Sequence, residues 1–112
     1  MTDACLFCRI VRGEIPARIV REDEHTVAFR DIDPKAPTHV LVIPKEHVAS
    51  LDEARDPDLV GRLMLVAGEI AKTEGITNGY RTVVNCGPDA GQSVFHLHLH
   101  LLGGRKFTWP PG

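Results

Sequence analysis

Histidine and leucine alternate near the end of the chain, where residues 95–102 read Phe-His-Leu-His-Leu-His-Leu-Leu. In an extended strand, side chains point alternately to opposite faces. This spacing therefore places the imidazoles of His96, His98 and His100 on one face and the leucines on the other, an alignment that a helix would not produce. The pattern predicts a strand over Phe95–Leu102 whose leucine face lies in a core.

One long amphipathic helix is predicted in the middle of the chain. Asp56 is a suitable N-cap, Pro57 suits the first helical position, and apolar residues recur every three or four positions up to Gly75. The apolar stripe is wide, which is typical of a well-buried helix and also compatible with packing against a second subunit. A shorter helix is predicted over Cys5–Arg12, with Gly13 as its stop.

The remaining apolar segments predict strands. They are rich in β-branched and aromatic residues, and they comprise a hairpin over 17–21 and 26–30, a segment over 40–43 and a segment over 80–85. The segment over 40–43 is apolar on both faces and is therefore expected to be central, with Pro44 ending it. Loops are predicted at Asp33–Pro37 and Gly87–Gly91. We expect a single domain over residues 1–112 that mixes helices and strands.

Composition narrows the function classes. Thirteen Lys and Arg against fifteen Asp and Glu give a net charge of −2, which provides no general surface for nucleic acid or membrane. The N-terminus lacks the pattern of a signal peptide, and no apolar run has the length of a membrane span, so we expect a cytoplasmic protein. Three cysteines, an odd number, argue against a disulfide framework and leave metal or redox roles open.

The alternating histidines have a chemical interpretation. A neutral imidazole is a competent nucleophile toward phosphorus, and a phosphorylated or nucleotidylated histidine is labile enough to be hydrolysed. His98 has a histidine two positions away on each side and is the best candidate nucleophile, and His100 is then placed to contact the phosphate. The alternatives are that the three residues are metal ligands or ordinary surface residues.

The loop before these histidines is suited to a phosphate. It brings Gly91, the Gln92 amide, the Ser93 hydroxyl and free backbone N–H groups to the start of the histidine segment. Gly-Pro-Asp and Gly-Gln-Ser sequences more often make plain turns, so the loop alone is weak support for anion binding. Its position next to His96 is what makes it informative.

The chain resembles the histidine triad (HIT) family. The pattern His, apolar, His, apolar, His, apolar, apolar is present, and the likeness extends to residues 13–17, 31–39, 42–45 and the Trp-Pro-Pro-Gly ending. It is closest to the branch of histidine triad nucleotide-binding proteins. That resemblance implies an α+β fold with an antiparallel sheet of about five strands per subunit, one long helix and a short N-terminal helix. It also implies a homodimer with a continuous sheet.

The resemblance implies roles for individual residues. His98 would be the nucleophile, with His39, His96 and His100 as supporting histidines, and Asp31 would accept hydrogen bonds from the ribose hydroxyls. A purine would be enclosed by the apolar side chains of Phe7, Ile10, Ile15, Phe29 and Ile32, although two of these, Phe29 and Ile32, would otherwise be interpreted as core. The α-phosphate and leaving group would be surrounded by Asn85, Gly91, Gln92 and Ser93.

The implied activity is hydrolysis of purine nucleoside 5′-phosphoramidates in two steps. His98 attacks the α-phosphorus and the amine leaves with a proton, and water then releases the nucleoside monophosphate. No magnesium requirement is expected, because His100, Ser93 and backbone donors would meet the charge on the phosphoryl oxygens. The proton donor to the amine is left open between Ser93 and a histidine acting through water.

Cys5 and Cys8 form a Cys-x-x-Cys pair at the head of the short helix. Such a pair is compatible with redox activity, with half of a metal site or with chance, and a tetrahedral zinc site needs two further ligands. His47 and His96 are the natural candidates, and several bacterial-type members of the resembled family bind zinc in this way. The implied zinc is structural and ties the N-terminal helix to the histidine strand, and His96 would then orient His98 through its backbone.

Two other functions stay open at this point. One is a dinucleoside polyphosphate hydrolase of the same family, which the Gly103-Gly104-Arg105 sequence and the Trp-Pro-Pro-Gly ending disfavour. The other is a nucleotide-binding or zinc-binding regulatory protein with little turnover. The complete set of supporting histidines argues against lost catalysis.

Overall fold

A five-stranded antiparallel sheet forms the centre of the molecule, seen here in a computed structural model that describes residues 4–112. The strands are β1 (Ile19–Glu22), β2 (Thr26–Arg30), β3 (Thr38–Pro44), β4 (Tyr80–Val83) and β5 (Leu99–Gly103), and the helices are α1 (Leu6–Val11) and α2 (Pro57–Thr73). The strand order is β1-β2-β3-β5-β4, with every neighbouring pair antiparallel. The expected α+β fold, with one long and one short helix, is confirmed.

Helix α2 covers one face of the sheet. Its N-cap Asp56 accepts a hydrogen bond from the backbone N–H of Asp58, and the chain leaves the helix through Gly75 at a φ of +77°. The face of α2 that packs on the sheet consists of Leu63, Val66, Ala67, Ile70 and Ala71. It meets apolar residues of the central strands, Ala28, Val40, Val42, Leu99 and Leu101, together with Leu97. Each fully buried leucine or isoleucine stabilises this layer by ~1.5–3 kcal/mol.

Helix α1 lies over the opposite face. Phe7 contacts the ring of Phe29 edge-on, with 5.4 Å between ring centroids, in a second core cluster that also contains Val27, Leu41 and Ile43. Leu41 is the register partner of His100, so the histidines share this face with α1. Within residues 4–112, no helix combines the length and apolar character needed to cross a bilayer.

The histidine strand is shorter than predicted. β5 begins at Leu99, so the prediction of a strand over Phe95–Leu102 is wrong at its start. Pro44, which faces this region from β3, has no N–H to continue the ladder, and the N–H of Leu97 instead donates to the carbonyl of Val48 at 2.6 Å. The alternation itself is confirmed, because Leu97 packs in the α2 cluster while the rings of His96 and His98 both contact Phe7.

Other strand limits also differ from the predictions. β1 starts at Ile19, β4 ends at Val83, and β3 already starts at Thr38. Pro44 ends β3, as predicted, and is the last residue of the strand. The extension of β3 at its start matters for the site, because it places His39 in the strand opposite Leu102. The central position predicted for this strand is confirmed.

Candidate functional site

His98 is held by one short hydrogen bond. Its Nδ1 lies 2.7 Å from the carbonyl oxygen of His96, and its ring packs edge-on against Phe7 at 5.2 Å. A carbonyl only accepts, so Nδ1 of His98 carries a proton, and in the neutral form of the ring the lone pair lies on Nε2. The side chain is 7% exposed. This geometry presents an oriented nitrogen nucleophile or base in a largely buried site.

His39 and His100 form a second pair beside His98. Nε2 of His39 is 2.9 Å from Nδ1 of His100 and 3.4 Å from a carboxylate oxygen of Asp31, and the ring of His100 lies 5.1 Å from that of His98. Burial lowers the pKa of His39. Burial, with the neighbouring His98 and His39, lowers the pKa of His100 to about 4. Both rings are therefore neutral near pH 7 and offer N–H groups without a net charge.

The apolar residues expected around a base differ in exposure. Phe7 and Phe29 are buried in the α1 cluster, and Ile10 and Ile15 are half-buried. Ile32 is 100% exposed, so its interpretation as core is excluded. Asp31 lies one residue beyond β2, and one of its oxygens accepts from the backbone N–H of Asp33 at 2.8 Å.

The loop before the histidines is braced by Gln92. Its Oε1 accepts from the N–H of Gly87 at 2.9 Å, and its Nε2 donates to the carbonyls of Ala49 at 2.9 Å and Val94 at 3.1 Å. Both amide hydrogens and the oxygen are thus engaged, and the side chain is buried. Gln92 shapes the loop through these bonds. Ser93 is exposed at the end of the loop.

Gly91 and Asn85, which were also predicted to lie near the phosphate, are close to Gln92 in the chain. Gly91 adopts a φ of +90°, which favours glycine, directly after a short helical turn over Pro88–Ala90. Asn85 is half-buried two residues beyond β4. The loop therefore has a defined conformation, set by the helical turn and by Gly91, and it ends at Ser93.

A separate cluster joins α1 to the histidine segment. The donor atoms of Cys5, Cys8, His47 and His96 all lie within 4.8 Å of one another. Nδ1 of His96 is 3.4 Å from Sγ of Cys5 and 3.5 Å from Sγ of Cys8, and Nδ1 of His47 is 3.2 Å from Sγ of Cys8. Tetrahedral zinc, with bonds of about 2.3 Å to sulfur and about 2.0 Å to nitrogen, spaces these donors about 3.5 Å apart.

The surroundings of the cluster also suit a metal. Nε2 of His96 donates to the carbonyl of Pro44 at 2.8 Å, which leaves the lone pair on Nδ1 facing both thiols. Burial and the neighbouring Cys5 raise the pKa of the Cys8 thiol to about 11. A bound cation would favour the thiolate that this environment otherwise disfavours. The four residues fit a zinc ion.

A family model for the HIT domain matches residues 12–107. The chain belongs to the HIT family. It is 50% identical over 111 residues to the 14 kDa zinc-binding protein of Zea mays, an alignment covering 96% of this chain and 87% of the maize protein.

Solved HIT structures are similar over nearly the whole chain. A HIT family hydrolase from Legionella pneumophila is 51% identical with a TM-score of 0.93, over 96% of this chain and 99% of that one. A Zn-bound histidine triad family protein from Mycobacterium smegmatis is 36% identical with a TM-score of 0.86, over 94% of this chain and 78% of that one.

The HIT site depends on backbone groups that no side-chain pattern indicated. The carbonyl of Pro44 accepts from the ring of His96, and the carbonyl of Val48 accepts from the N–H of Leu97. Their only sequence signal is indirect, since Pro44 interrupts the ladder. The carbonyl of His96, which accepts from the ring of His98, is the exception, because the resemblance implied that His96 orients His98 through its backbone. Cys5 also has a role that was not predicted. Its Sγ caps α1 by accepting a hydrogen bond from the N–H of Cys8 at 3.4 Å.

Proposed function

We propose that this HIT protein hydrolyses purine nucleoside 5′-phosphoramidates to a nucleoside monophosphate and an amine. The observation that carries the proposal is the hydrogen bond from Nδ1 of His98 to the His96 carbonyl, which leaves Nε2 of His98 as an oriented lone pair. Neutral N–H groups lie beside it. The similar Legionella protein, called a hydrolase, supports the reaction class.

The reaction proceeds in two displacements at phosphorus. Nε2 of His98 attacks the α-phosphorus, the P–N bond breaks, and the amine leaves with a proton from Ser93 or, through a water, from a histidine. Water then attacks the nucleotidyl-histidine, the bond from phosphorus to Nε2 breaks, and the nucleoside monophosphate is released. His100 and backbone N–H groups of the loop donate to the phosphoryl oxygens, so preorganised hydrogen bonds carry much of the rate enhancement.

The nucleoside would bind along the α1 side of the sheet. Ile10, Ile15 and the exposed Ile32 would offer apolar surface to a purine, and the buried rings of Phe7 and Phe29 would lie behind that surface. The carboxylate of Asp31 suits vicinal ribose hydroxyls, because one oxygen can accept from both or each oxygen from one. Asn85, Gly91 and Ser93 would surround the phosphate and leaving group, and Gln92 would act by holding the loop in shape.

A pair of histidine variants tests the activity. We expect the wild-type protein to hydrolyse adenosine 5′-phosphoramidate without added magnesium, and His98→Ala to lose at least ~1,000-fold in kcat/KM because the nucleophile is gone. His25→Ala is the matched control, since His25 is an exposed histidine in the β1–β2 turn and should keep full activity.

The same assay with a diadenosine polyphosphate separates the candidate functions. Faster turnover of that substrate than of the phosphoramidate would favour a dinucleoside polyphosphate hydrolase. Full phosphoramidate hydrolysis by His98→Ala would contradict the proposal, and no turnover of either substrate by the wild-type protein would favour a binding protein.

We propose that Cys5, Cys8, His47 and His96 bind a structural zinc ion. The donor spacing supports this, as do the maize protein named for zinc binding and the zinc-bound structure of the Mycobacterium smegmatis protein. Zinc would supply a rigid cross-link between α1 and the histidine segment. It takes no part in the displacement at phosphorus.

We further propose a homodimer formed through the outer face of α2 and the free edge of β4. Met64 and Leu65 on α2 are 48% and 70% exposed, and Tyr80 on β4 is 45% exposed. The hydroxyl of Tyr80 lies close to Gly68, which is one helical turn beyond Met64 and Leu65 on α2. Pairing β4 with its copy would extend the sheet across two subunits, because within residues 4–112 β4 has a sheet neighbour on one side only.

A further inference from the structure

The backbone N–H of Lys35 points at a histidine ring. It lies 3.0 Å from Nδ1 of His39, within the proline-rich loop between β2 and β3. A backbone amide can only donate, so Nδ1 of His39 must accept. Burial keeps this ring neutral by lowering its pKa, and a neutral ring with an accepting Nδ1 carries its proton on Nε2.

That proton determines the state of the next ring. Nε2 of His39 is 2.9 Å from Nδ1 of His100 and 3.4 Å from Asp31, so the shorter contact is an N–H···N hydrogen bond. Two protons cannot occupy one hydrogen bond, so Nδ1 of His100 must accept. His100 is neutral as well, with a pKa of about 4 caused first by burial, and its proton therefore lies on Nε2.

We propose that the Lys35 backbone amide is a positioning group that fixes His100 in the Nε2–H tautomer, through His39. The geometry is a relay of two hydrogen bonds, from Lys35 N–H to His39 and from His39 Nε2–H to His100. The Lys35 side chain takes no part, because its ammonium group pairs with Asp33 at 2.6 Å.

The relay makes adjacent histidines complementary. His98 has its proton on Nδ1 and its lone pair on Nε2, whereas His100, 5.1 Å away between ring centroids, has the reverse. One ring is thereby set to attack and the other to donate to a phosphoryl oxygen. This catalytic consequence rests on the proposed function, whereas the tautomers themselves do not.

Nuclear magnetic resonance of the full-length, zinc-loaded, 15N-labelled protein tests the relay directly. N–H···N hydrogen bonds transmit a scalar coupling between the two nitrogens. We expect a coupling between Lys35 N and His39 Nδ1, a second between His39 Nε2 and His100 Nδ1, and ring spectra showing Nε2–H for His39 and His100. A proton on Nδ1 of His100, or the absence of both couplings, would overturn the proposal.

Two substitutions at position 35 separate the amide from the side chain. Lys35→Pro removes the donor, so the first coupling is lost and the Nε2–H tautomer of His39 is no longer enforced. Lys35→Ala keeps the amide and should keep both couplings. If Lys35→Pro folds and the tautomers of His39 and His100 are unchanged, the relay is refuted. If that variant does not fold, the presence or absence of the two couplings in the wild-type protein tests the relay. A wild-type protein with both couplings but no phosphoramidate hydrolysis would retain the relay and refute the proposed function.

Discussion

Atoms of His96 serve two different clusters. Its ring Nδ1 faces Cys5 and Cys8, while its carbonyl oxygen accepts from Nδ1 of His98. The ring is fixed at its other nitrogen by the Pro44 carbonyl. Any displacement of the His96 backbone therefore changes the direction in which Nε2 of His98 points. The resemblance to the HIT family implied this division of labour, and the hydrogen bonds of His96 give it a physical basis.

Gln92 allows a prediction at the scale of one residue. We expect Gln92→Leu, a substitution of similar volume, to lower the free energy of unfolding by ~2 kcal/mol, because it leaves the N–H of Gly87 and the carbonyls of Ala49 and Val94 without their partner. Since the loop then loses its shape, kcat should fall more than KM rises. Urea unfolding and steady-state kinetics measure both effects. Wild-type stability together with wild-type kcat would show that Gln92 does not brace the loop.

At the scale of elements, the sequence predicted the features that depend on neighbouring residues in the chain. Helix α2 was predicted from its cap, its apolar spacing and Gly75, and all three are observed. The alternation of His and Leu likewise predicted which side chains share a face. The true start of β5 was not predictable from its own residues, since it depends on Pro44 and Val48, about fifty residues earlier in the chain.

The residues of the site also divide into those that were expected from the sequence and those that were not. The cluster of Cys5, Cys8, His47 and His96 was expected from the resemblance to the HIT family, since the Cys-x-x-Cys pair alone was also compatible with redox activity or chance. The Lys35 amide was not predicted, because a backbone group leaves no mark in the side-chain pattern. The engagement of Gln92 in the loop was also missed, since a glutamine in a glycine-rich loop is equally suited to bind a phosphate.

An ion pair connects β2 to the end of α2. Arg30 donates to both oxygens of Glu74, at 2.9 and 3.0 Å, and this bonding lowers the pKa of Glu74 from its ordinary 4.5. We expect Glu74→Gln to reduce stability by ~1–2 kcal/mol at pH 7. A lowered carboxyl pKa stabilises the fold above the unfolded-state value, and that stability is lost as the pH falls from 4.5 through the folded-state pKa.

Urea unfolding at neutral and acidic pH measures this contribution. The difference between wild type and Glu74→Gln should shrink as Glu74 becomes protonated. Glu24→Gln is the control, because Glu24 is 87% exposed and should change little. A difference between wild type and Glu74→Gln that stays constant with pH would argue against the ion pair as its cause.

The proposed zinc ion connects α1 to the histidine segment. We expect about one zinc per chain in the purified protein, and Cys8→Ser to lose it because a required thiolate is absent. Backbone amides of α1 should then exchange with solvent faster, since Cys5 and Cys8 lie at the head of this six-residue helix. Metal analysis and hydrogen exchange measure the two effects.

The third cysteine supplies the control for zinc binding. Cys86 lies outside the metal cluster, so Cys86→Ser should retain zinc and the exchange pattern of α1. Retention of zinc by Cys8→Ser, or its loss from Cys86→Ser, would contradict the ligand assignment.

At the scale of the whole molecule, the outer face of α2 is the apolar surface proposed to form the dimer. We expect Leu65→Glu to convert the dimer to a monomer, because a carboxylate would be buried against the partner's apolar surface. Light scattering after size-exclusion chromatography measures the mass. Leu51→Glu, at a leucine 44% exposed outside α2, should leave the dimer intact. A monomeric wild-type protein would exclude the dimer proposal.

The fold brings three parts together near His98: α1, the loop held by Gln92, and the start of β3 with its His39. Each is held by contacts outside itself, so the reactive nitrogen is positioned by the whole molecule. This preorganisation is what distinguishes the histidines from an ordinary row of surface imidazoles.

The most direct test of the central claim is the detection of a nucleotidyl group on His98. The protein is mixed with adenosine 5′-phosphoramidate, quenched rapidly, digested at a pH at which phosphoramidate bonds survive, and examined by mass spectrometry. We expect a transient mass increase of one adenylyl group on the peptide that contains His98, located at that residue by fragmentation and absent from His98→Ala. Turnover with no adduct at early times, or an adduct on a different histidine, would contradict it.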